Sequence, residues 1–141
     1  MKISRENLNF NAISLFEMAL EVTRFSYAPY SHFRVGSALL LGDGSIVKGV
    51  NVENRSYGLT ICAERVAICS AIAKGHQDFV AIAIATPDSK ESVPPCGACR
   101  QVLSEFMPPS TPIIFGTSKE GIVIVTLGEL YPLDSLHDLK R

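Results

Sequence analysis

The sequence has little charge and no excess of either sign. Only 19% of its residues are charged, and 13 basic residues against 14 acidic ones leave a net charge of −1. Proteins that bind nucleic acid through its phosphate backbone usually carry a basic excess, so we expect no nucleic-acid partner. The shortage of charge also indicates that part of the surface lies in a subunit interface.

Long apolar runs are absent as well. No stretch approaches the roughly 20 apolar residues that a membrane-spanning helix needs, and Glu17 and Glu21 interrupt the apolar segment near the N-terminus. This pattern predicts no membrane partner and no signal peptide, so we expect a cytoplasmic protein. The 4 cysteines are then expected to be metal ligands, catalytic groups or core residues before disulfides.

Apolar residues are plentiful, however, at 47% of 141 residues. This share is ordinary for a packed globular chain, and together with the low net charge it excludes disorder. The length predicts a single domain over residues 1–141.

Apolar periodicity, glycines and prolines predict the element order α-β-β-α-β-α-β-β-α. A hairpin followed by alternating strands and helices predicts an α/β fold, with helices on both faces of a mixed sheet. Ser4 is the predicted N-cap of the first helix. The predicted helices cover residues 5–24, 62–74, 97–107 and 128–139, and the predicted strands cover residues 33–41, 46–52, 79–86, 112–116 and 122–126.

The strongest local motif is Cys96-Gly97-Ala98-Cys99, at the start of a predicted helix. The spacing places both sulfurs on one side of the first turn, where the helix dipole and free N–H groups favour thiolates. Taken alone, the motif leaves redox chemistry, metal binding and a pair of buried thiols open.

A third cysteine changes this interpretation, because Cys62 also begins a predicted helix. Three thiolates with one open position are typical of catalytic rather than structural zinc sites. Cys69 lies seven residues further along the same helix, or about 10 Å of rise, whereas sulfurs on one zinc ion lie about 4 Å apart. We therefore exclude Cys69 as a fellow ligand and predict that it packs in the core.

Glu64 lies two residues after Cys62. A carboxylate this close to a zinc site can accept and deliver a proton during hydrolysis, and zinc deaminases place a glutamate beside their first ligand. Three thiolates would also leave an excess of negative charge, which Arg65 and Arg100 could offset. For both arginines a surface salt bridge is the alternative.

Four motifs follow one another in a characteristic order. They are APYSHFRVG at residues 28–36, NVEN at 51–54, YGLTICAER at 57–65 and PCGACRQ at 95–101. Together they resemble the small homotetrameric cytidine deaminases, over about residues 5–132. The resemblance implies a three-layer α/β/α fold around a five-stranded mixed sheet, and a homotetramer whose active sites share residues across interfaces.

The resemblance also implies an activity, the zinc-dependent hydrolysis of cytidine and deoxycytidine to the uridines and ammonia, in pyrimidine salvage. One Zn²⁺ per chain and a nucleoside substrate are expected. The resemblance implies that Cys62, Cys96 and Cys99 are the zinc ligands and that Glu64 is the proton shuttle. It implies that Asn51 and Glu53 bind the ribose and that Phe33 packs against the nucleoside. Tyr57 is implied to contact a neighbouring subunit's site.

Two further observations bear on this resemblance. The i, i+2 spacing of Asn51 and Glu53 places both side chains on one face of an extended segment, in agreement with a shared role. The family usually carries an aromatic residue shortly after a Leu-Leu-Pro near the C-terminus, whereas this chain has Ser135 there, with Leu136 or Tyr131 as the candidate replacement.

Four other functions are alternatives. A thiol–disulfide redox protein would use Cys96 and Cys99 but leaves Cys62 and Glu64 unexplained. A purely structural zinc module is the non-enzymatic alternative, and the charge balance disfavours an editor of polynucleotides. A hydrolase that deaminates a cytosine-containing antibiotic shares the zinc chemistry but does not need the pair Asn51 and Glu53.

Overall fold

The computed structural model describes residues 4–119 and 121–140. These residues form five strands, four α-helices and several short 3-10 helices. The strands are β1 (Gly36–Leu41), β2 (Ile46–Val50), β3 (Phe79–Ala85), β4 (Pro112–Gly116) and β5 (Val123–Thr126). The α-helices are α1 (Ala12–Val22), α2 (Ala63–Ala73), α3 (Gly97–Phe106) and α4 (Leu127–Leu130). The 3-10 helices are Arg5–Asn7, Thr23–Phe25, Tyr57–Leu59 and His137–Leu139. None of the helices in this described part is long and apolar enough to cross a membrane.

The strands form one mixed sheet in the order β2-β1-β3-β4-β5. The pair β3 and β4 is parallel and is connected through α3, while the other neighbours are antiparallel. The predicted five-stranded α/β fold is therefore confirmed.

The central strand β3 shows why the sheet carries helices on both faces. Its residues Ala81, Ala83 and Ala85 belong to the core on the α1 side, whereas Ile82 and Ile84 belong to the core that includes α2 and α3. Successive side chains of a strand point to opposite faces, so an apolar run without polar alternation is buried on both sides. The result is a three-layer α/β/α architecture.

The first helix is shorter than the sequence predicts. Ser4 caps only the 3-10 helix Arg5–Asn7, and the backbone is extended again at Leu8. Asn11 caps α1 instead, since its Oδ1 accepts a hydrogen bond of 3.0 Å from the Ser14 N–H. The apolar periodicity continues across two separate caps, and for this reason it does not show where the helix begins.

The terminal helix is present but much shorter than the predicted range of residues 128–139. Helix α4 begins with a capping box between Thr126 and Glu129 and ends at Leu130. Pro132 has no N–H to continue the helical ladder, and only a 3-10 turn forms further on, at His137–Leu139.

Strand β1 begins at Gly36 rather than at residue 33, and β2 ends at Val50 rather than at residue 52. Beyond these ends Asn51 binds Val35 through both its backbone and its side chain. Its N–H donates to the Val35 carbonyl at 3.1 Å, and its Oδ1 accepts a hydrogen bond of 3.0 Å from the Val35 N–H. Phe33 and Val35 line a cavity at the end of the sheet.

Gly49 allows α2 to lie close against β2. A Cβ at this position would lie 2.3 Å from the Ala63 carbonyl oxygen and 2.7 Å from the Ala67 nitrogen, both of them backbone atoms. We expect Gly49→Ala to lower the free energy of unfolding by about 3 kcal/mol or more, because overpacking forces the helix to move. Urea unfolding measures this loss. Gly58→Ala is the matched control, since an added Cβ there meets nothing within 4 Å; equal stability of the two variants would contradict the close packing.

Candidate active site

Three cysteine sulfurs converge at the N-termini of two helices. Cys62 is the N-cap of α2 and Cys96 is the N-cap of α3, while Cys99 lies in the first turn of α3 and is buried. The Sγ atoms of Cys62 and Cys96 are 3.8 Å apart, and all three sulfurs lie within 4.8 Å of one another. Thiolates around a tetrahedral zinc ion, with bonds near 2.3 Å, lie about 4 Å apart, so the three donors fit this metal.

Cys69 lies apart from this cluster. The structure leaves it outside the three-cysteine group, in agreement with the distance argument. The prediction that it packs in the core is wrong, however, because its side chain is exposed. The buried face of α2 consists of Ala63, Glu64, Ala67, Ile68 and Ala71, and Cys69 falls on the opposite side.

The charges around the sulfurs are uneven. A hydrogen bond from the Cys99 thiol, with a smaller contribution from Arg65, lowers the pKa of Cys62 to about 5. The hydrogen bond to the Cys62 sulfur and burial raise the pKa of the Cys99 thiol. One guanidinium nitrogen of Arg65 lies 3.3 Å from the Cys62 sulfur, so Arg65 can offset negative charge there.

The described contacts of Arg100 are different. Its guanidinium donates to the Pro95 carbonyl at 2.7 Å and to the Leu130 carbonyl at 2.8 Å. These described hydrogen bonds go to carbonyl groups and not to a sulfur, so charge compensation by Arg100 stays a prediction. Arg100 connects the start of α3 to the end of α4.

Glu64 lies in the first turn of α2, directly beside the cluster, and is 4% exposed. Burial raises the pKa of this carboxyl group. Its Oε1 atom is buried, and none of the residues that the structure describes forms a hydrogen bond with it. Because an unpartnered buried polar atom is costly, this oxygen is available to a ligand or a substrate.

A cavity of about 190 Å³ opens beside the sulfurs and Glu64. It brings together five of the predicted site residues, which are Phe33, Asn51, Cys62, Glu64 and Cys96. Sequence reasoning missed the other lining residues, because they are ordinary apolar residues and threonines that only the fold brings here. These are Val35, Thr60, Ala63, Ile84, Thr86, Val93 and Pro94.

Asn51 is buried, and both ends of its amide are engaged. Its Oδ1 accepts from the Val35 N–H, and its Nδ2 donates to the Phe33 carbonyl at 2.8 Å. A primary amide has a second donor and a second acceptor site. Asn51 can therefore hold the Phe33 segment in place and still bind a ligand.

Glu53 lies in a neighbouring hollow of about 380 Å³, which shares Thr60 with the first cavity. Its carboxylate accepts hydrogen bonds from the N–H groups of Tyr30 and Ser31 and from the Ser31 hydroxyl. These bonds, the hydroxyl first, lower the pKa of Glu53. Ser31 is thus a contact of the site to which the sequence motif assigned no role.

Tyr57 lines the same hollow but is 74% exposed. Its ring packs against Tyr30, with the centroids 5.8 Å apart. Within one chain it does not line the cavity beside the sulfurs.

Neither candidate for the missing C-terminal aromatic lines that cavity within this chain. The Tyr131 hydroxyl donates to the Gln101 Oε1 at 2.6 Å, and its ring packs against the main core. Leu136 is half exposed on the C-terminal segment.

The fold and the site together define an α/β/α protein with three converging cysteines, a donor set that suits a zinc ion with one open position. Residues 11–115 match the family model described as "Cytidine and deoxycytidylate deaminase zinc-binding region". The chain belongs to this family. Cys62, Cys96 and Cys99 form a cluster that is compatible with its zinc site.

Individual proteins show the same similarity. A cytidine deaminase from Halalkalibacterium halodurans is 48% identical over 118 residues, which cover 84% of this chain and 89% of the relative. A blasticidin-S deaminase from Bacillus cereus is 34% identical over 134 residues, covering 90% and 94%. The crystal structure of a cytidine deaminase from Burkholderia pseudomallei superposes with a TM-score of 0.80 at 41% identity, covering 84% of this chain and 94% of that one.

Proposed function

We propose that this protein catalyses the zinc-dependent hydrolytic deamination of cytidine and deoxycytidine, giving uridine and deoxyuridine plus ammonia. The unpartnered carboxyl oxygen of Glu64, buried in a cavity beside three converging sulfurs, carries the proposal. Cytidine deaminases among the relatives support the choice of substrate. A place in pyrimidine salvage and a cytoplasmic location belong to the same proposal.

The chemistry requires a water molecule to attack C4 of the pyrimidine and the amine to leave as ammonia. Cys62, Cys96 and Cys99 would hold the zinc ion, which would supply Lewis-acid activation of the water when bound. Glu64 accepts one proton of the attacking water and delivers it to N3. It then takes the second proton from the new C4 hydroxyl and delivers it to the amine, which leaves as ammonia while the C4 carbonyl forms. The raised pKa of its buried carboxyl group suits a residue that must hold a proton between these transfers. Arg65, 3.3 Å from the Cys62 sulfur, reduces the excess negative charge.

Asn51 and Glu53 bind the ribose hydroxyls in this proposal, and Phe33 packs against the nucleoside. A site built to bind a hydroxyl leaves its own polar groups unpaired when that hydroxyl is missing. We therefore expect kcat/KM for free cytosine to be about 10⁴-fold below that for cytidine. An ultraviolet assay on cytidine, deoxycytidine and cytosine measures this, and equal rates on cytosine and cytidine would remove the ribose role. Absence of turnover on both nucleosides would reject the proposed function.

Glu53→Gln should reduce kcat/KM for nucleosides while the slow rate on cytosine stays unchanged. Glu91→Gln, which alters an exposed glutamate outside both cavities, is the control.

Deamination of a cytosine-containing antibiotic is the second candidate, and one observation favours it. The blasticidin-S deaminase relative spans 90% of this chain. Blasticidin S belongs in the same assay, and a kcat/KM for it above that for both nucleosides would select this alternative.

We also propose that the chain forms a homotetramer in which Tyr57 reaches a neighbouring subunit's site. Large apolar side chains are exposed around this part of the molecule, among them Tyr57 at 74%, Leu59 at 65% and Tyr27 at 54%. Sedimentation of the purified protein tests the assembly.

A further inference from the structure

In the loop before β1, the backbone N–H groups of residues 30–35 all donate hydrogen bonds. The N–H groups of Tyr30 and Ser31 donate to Glu53, that of His32 donates to the Ala28 carbonyl, and that of Phe33 donates to the Ser31 hydroxyl. The Val35 N–H donates to Asn51. These acceptors belong either to the loop itself or to the segment that follows β2.

Arg34 has a different partner, in a chain segment far away in the sequence. Its backbone N–H donates to the Asp88 Oδ2 at 2.8 Å, its Nε donates to the same oxygen at 3.0 Å, and a terminal nitrogen donates to Oδ1 at 2.8 Å. One carboxylate thus holds both the main chain and the side chain of a residue 54 positions away. Planar, two-pronged pairing of this kind is geometrically more specific than an ordinary ion pair.

The two partners belong to two separate segments of the cavity lining, here called its walls. Arg34 stands between Phe33 and Val35, which both line it. Asp88 lies in the connection from β3 to α3, and this connection contributes the lining residues Val93 and Pro94 before it reaches Cys96.

We propose that Arg34 and Asp88 form a positioning pair that sets the separation of these walls and thereby the binding of the nucleoside. Neither residue lines the cavity, so neither is a catalytic residue. The inference rests on the proposed function, because it assigns the pair to the substrate cavity of that reaction. The walls contact the nucleoside in the ground state and in the transition state alike. Loss of the pair therefore weakens binding of the ground state and of the transition state equally. Such a loss raises KM and leaves kcat nearly unchanged.

A simple surface salt bridge is the competing explanation. The side chains of Arg34 and Asp88 are 47% and 28% exposed, and exposed ion pairs usually contribute little to stability. The two explanations differ in KM, which a solely structural surface pair would not change.

The test uses the zinc-loaded enzyme and steady-state kinetics on cytidine. Asp88→Asn should raise KM roughly tenfold, the effect of losing about 1.4 kcal/mol of binding that the ground state and the transition state share, with little change in kcat. Arg34→Lys keeps the charge and the backbone N–H but cannot form the two-pronged pair, and it should give a smaller rise. In the double variant KM should be no higher than in Asp88→Asn alone, because coupled residues do not add.

Lys119→Gln is the matched control, since it removes an exposed ion pair of 3.6 Å with Glu17 that is outside the cavity; its KM should equal that of the wild type. An unchanged KM in both Asp88→Asn and Arg34→Lys overturns the proposal, as does a loss confined to kcat. Wild-type turnover of cytidine in the same series separates this result from a failure of the proposed function. If Asp88→Asn does not fold, Arg34→Lys alone decides.

Discussion

Glu64→Gln should lower kcat for cytidine by about 10⁴-fold or more while the zinc content stays at the wild-type level. A single general acid–base contribution is about 10²- to 10⁴-fold, and Glu64 serves more than one proton transfer in the proposed reaction. The loss corresponds to roughly 5 kcal/mol or more in the activation barrier. Metal analysis and steady-state kinetics on one preparation measure both quantities.

The structure explains why this substitution isolates the chemistry. Glutamine has nearly the same size and shape as glutamate but cannot accept a proton. Its amide oxygen can still accept the hydrogen bond that the Glu64 carboxyl group makes with Cys99, and no described residue bonds Oε1 of Glu64. Thermal stability should therefore remain close to wild type. Glu105→Gln, an exposed change on α3, is the control and should retain full activity. Full activity in Glu64→Gln would end the proposed mechanism, and loss of zinc together with activity would make Glu64 a ligand or a structural residue.

Cys62→Ala should lose most of the bound zinc and, with it, the activity. Two remaining cysteine ligands make an incomplete site, and changes in the residues that merely support metal ligands already cost 10- to 100-fold in affinity. We expect zinc affinity to fall by at least about 100-fold, and the melting temperature should fall as well, because metal binding is coupled to folding. Elemental analysis after dialysis and a thermal melt measure these effects.

Cys69→Ala is the matched control for this variant, because it removes a thiol from the same helix. Its side chain is exposed and lies outside the three-cysteine cluster, so zinc, activity and stability should all persist. Zinc loss in Cys69→Ala with retention in Cys62→Ala would show that the ligands have been assigned incorrectly.

Among the differences between the predictions and the tertiary structure are the position of Cys69 and the end of the last α-helix. Local sequence patterns do not indicate either of them. Cys69 lies in a helix rich in alanine and isoleucine, whose sequence does not show which face packs against the sheet. The close approach of Gly49 to the Ala63 carbonyl selects that face and turns Cys69 outward. The composition predicts a helix that continues to residue 139. Pro132 ends it early because proline has no backbone N–H with which to continue the helical hydrogen bonds.

The sequence by itself determined the order of elements, the layered α/β class and the residue types of the candidate site. The period of apolar residues reports secondary structure, which explains the first two. The candidate site residues could be found because Glu64 follows Cys62 by two residues, and because Cys96 and Cys99 lie within one helix turn. Only the tertiary structure decided which chain segments line the cavity and how they are held together. Arg34 meets Asp88 across 54 positions, and Asn51 turns its amide to Phe33 and Val35. Contacts between segments so distant in the chain depend on how the sheet and its loops pack, and no local periodicity encodes that packing.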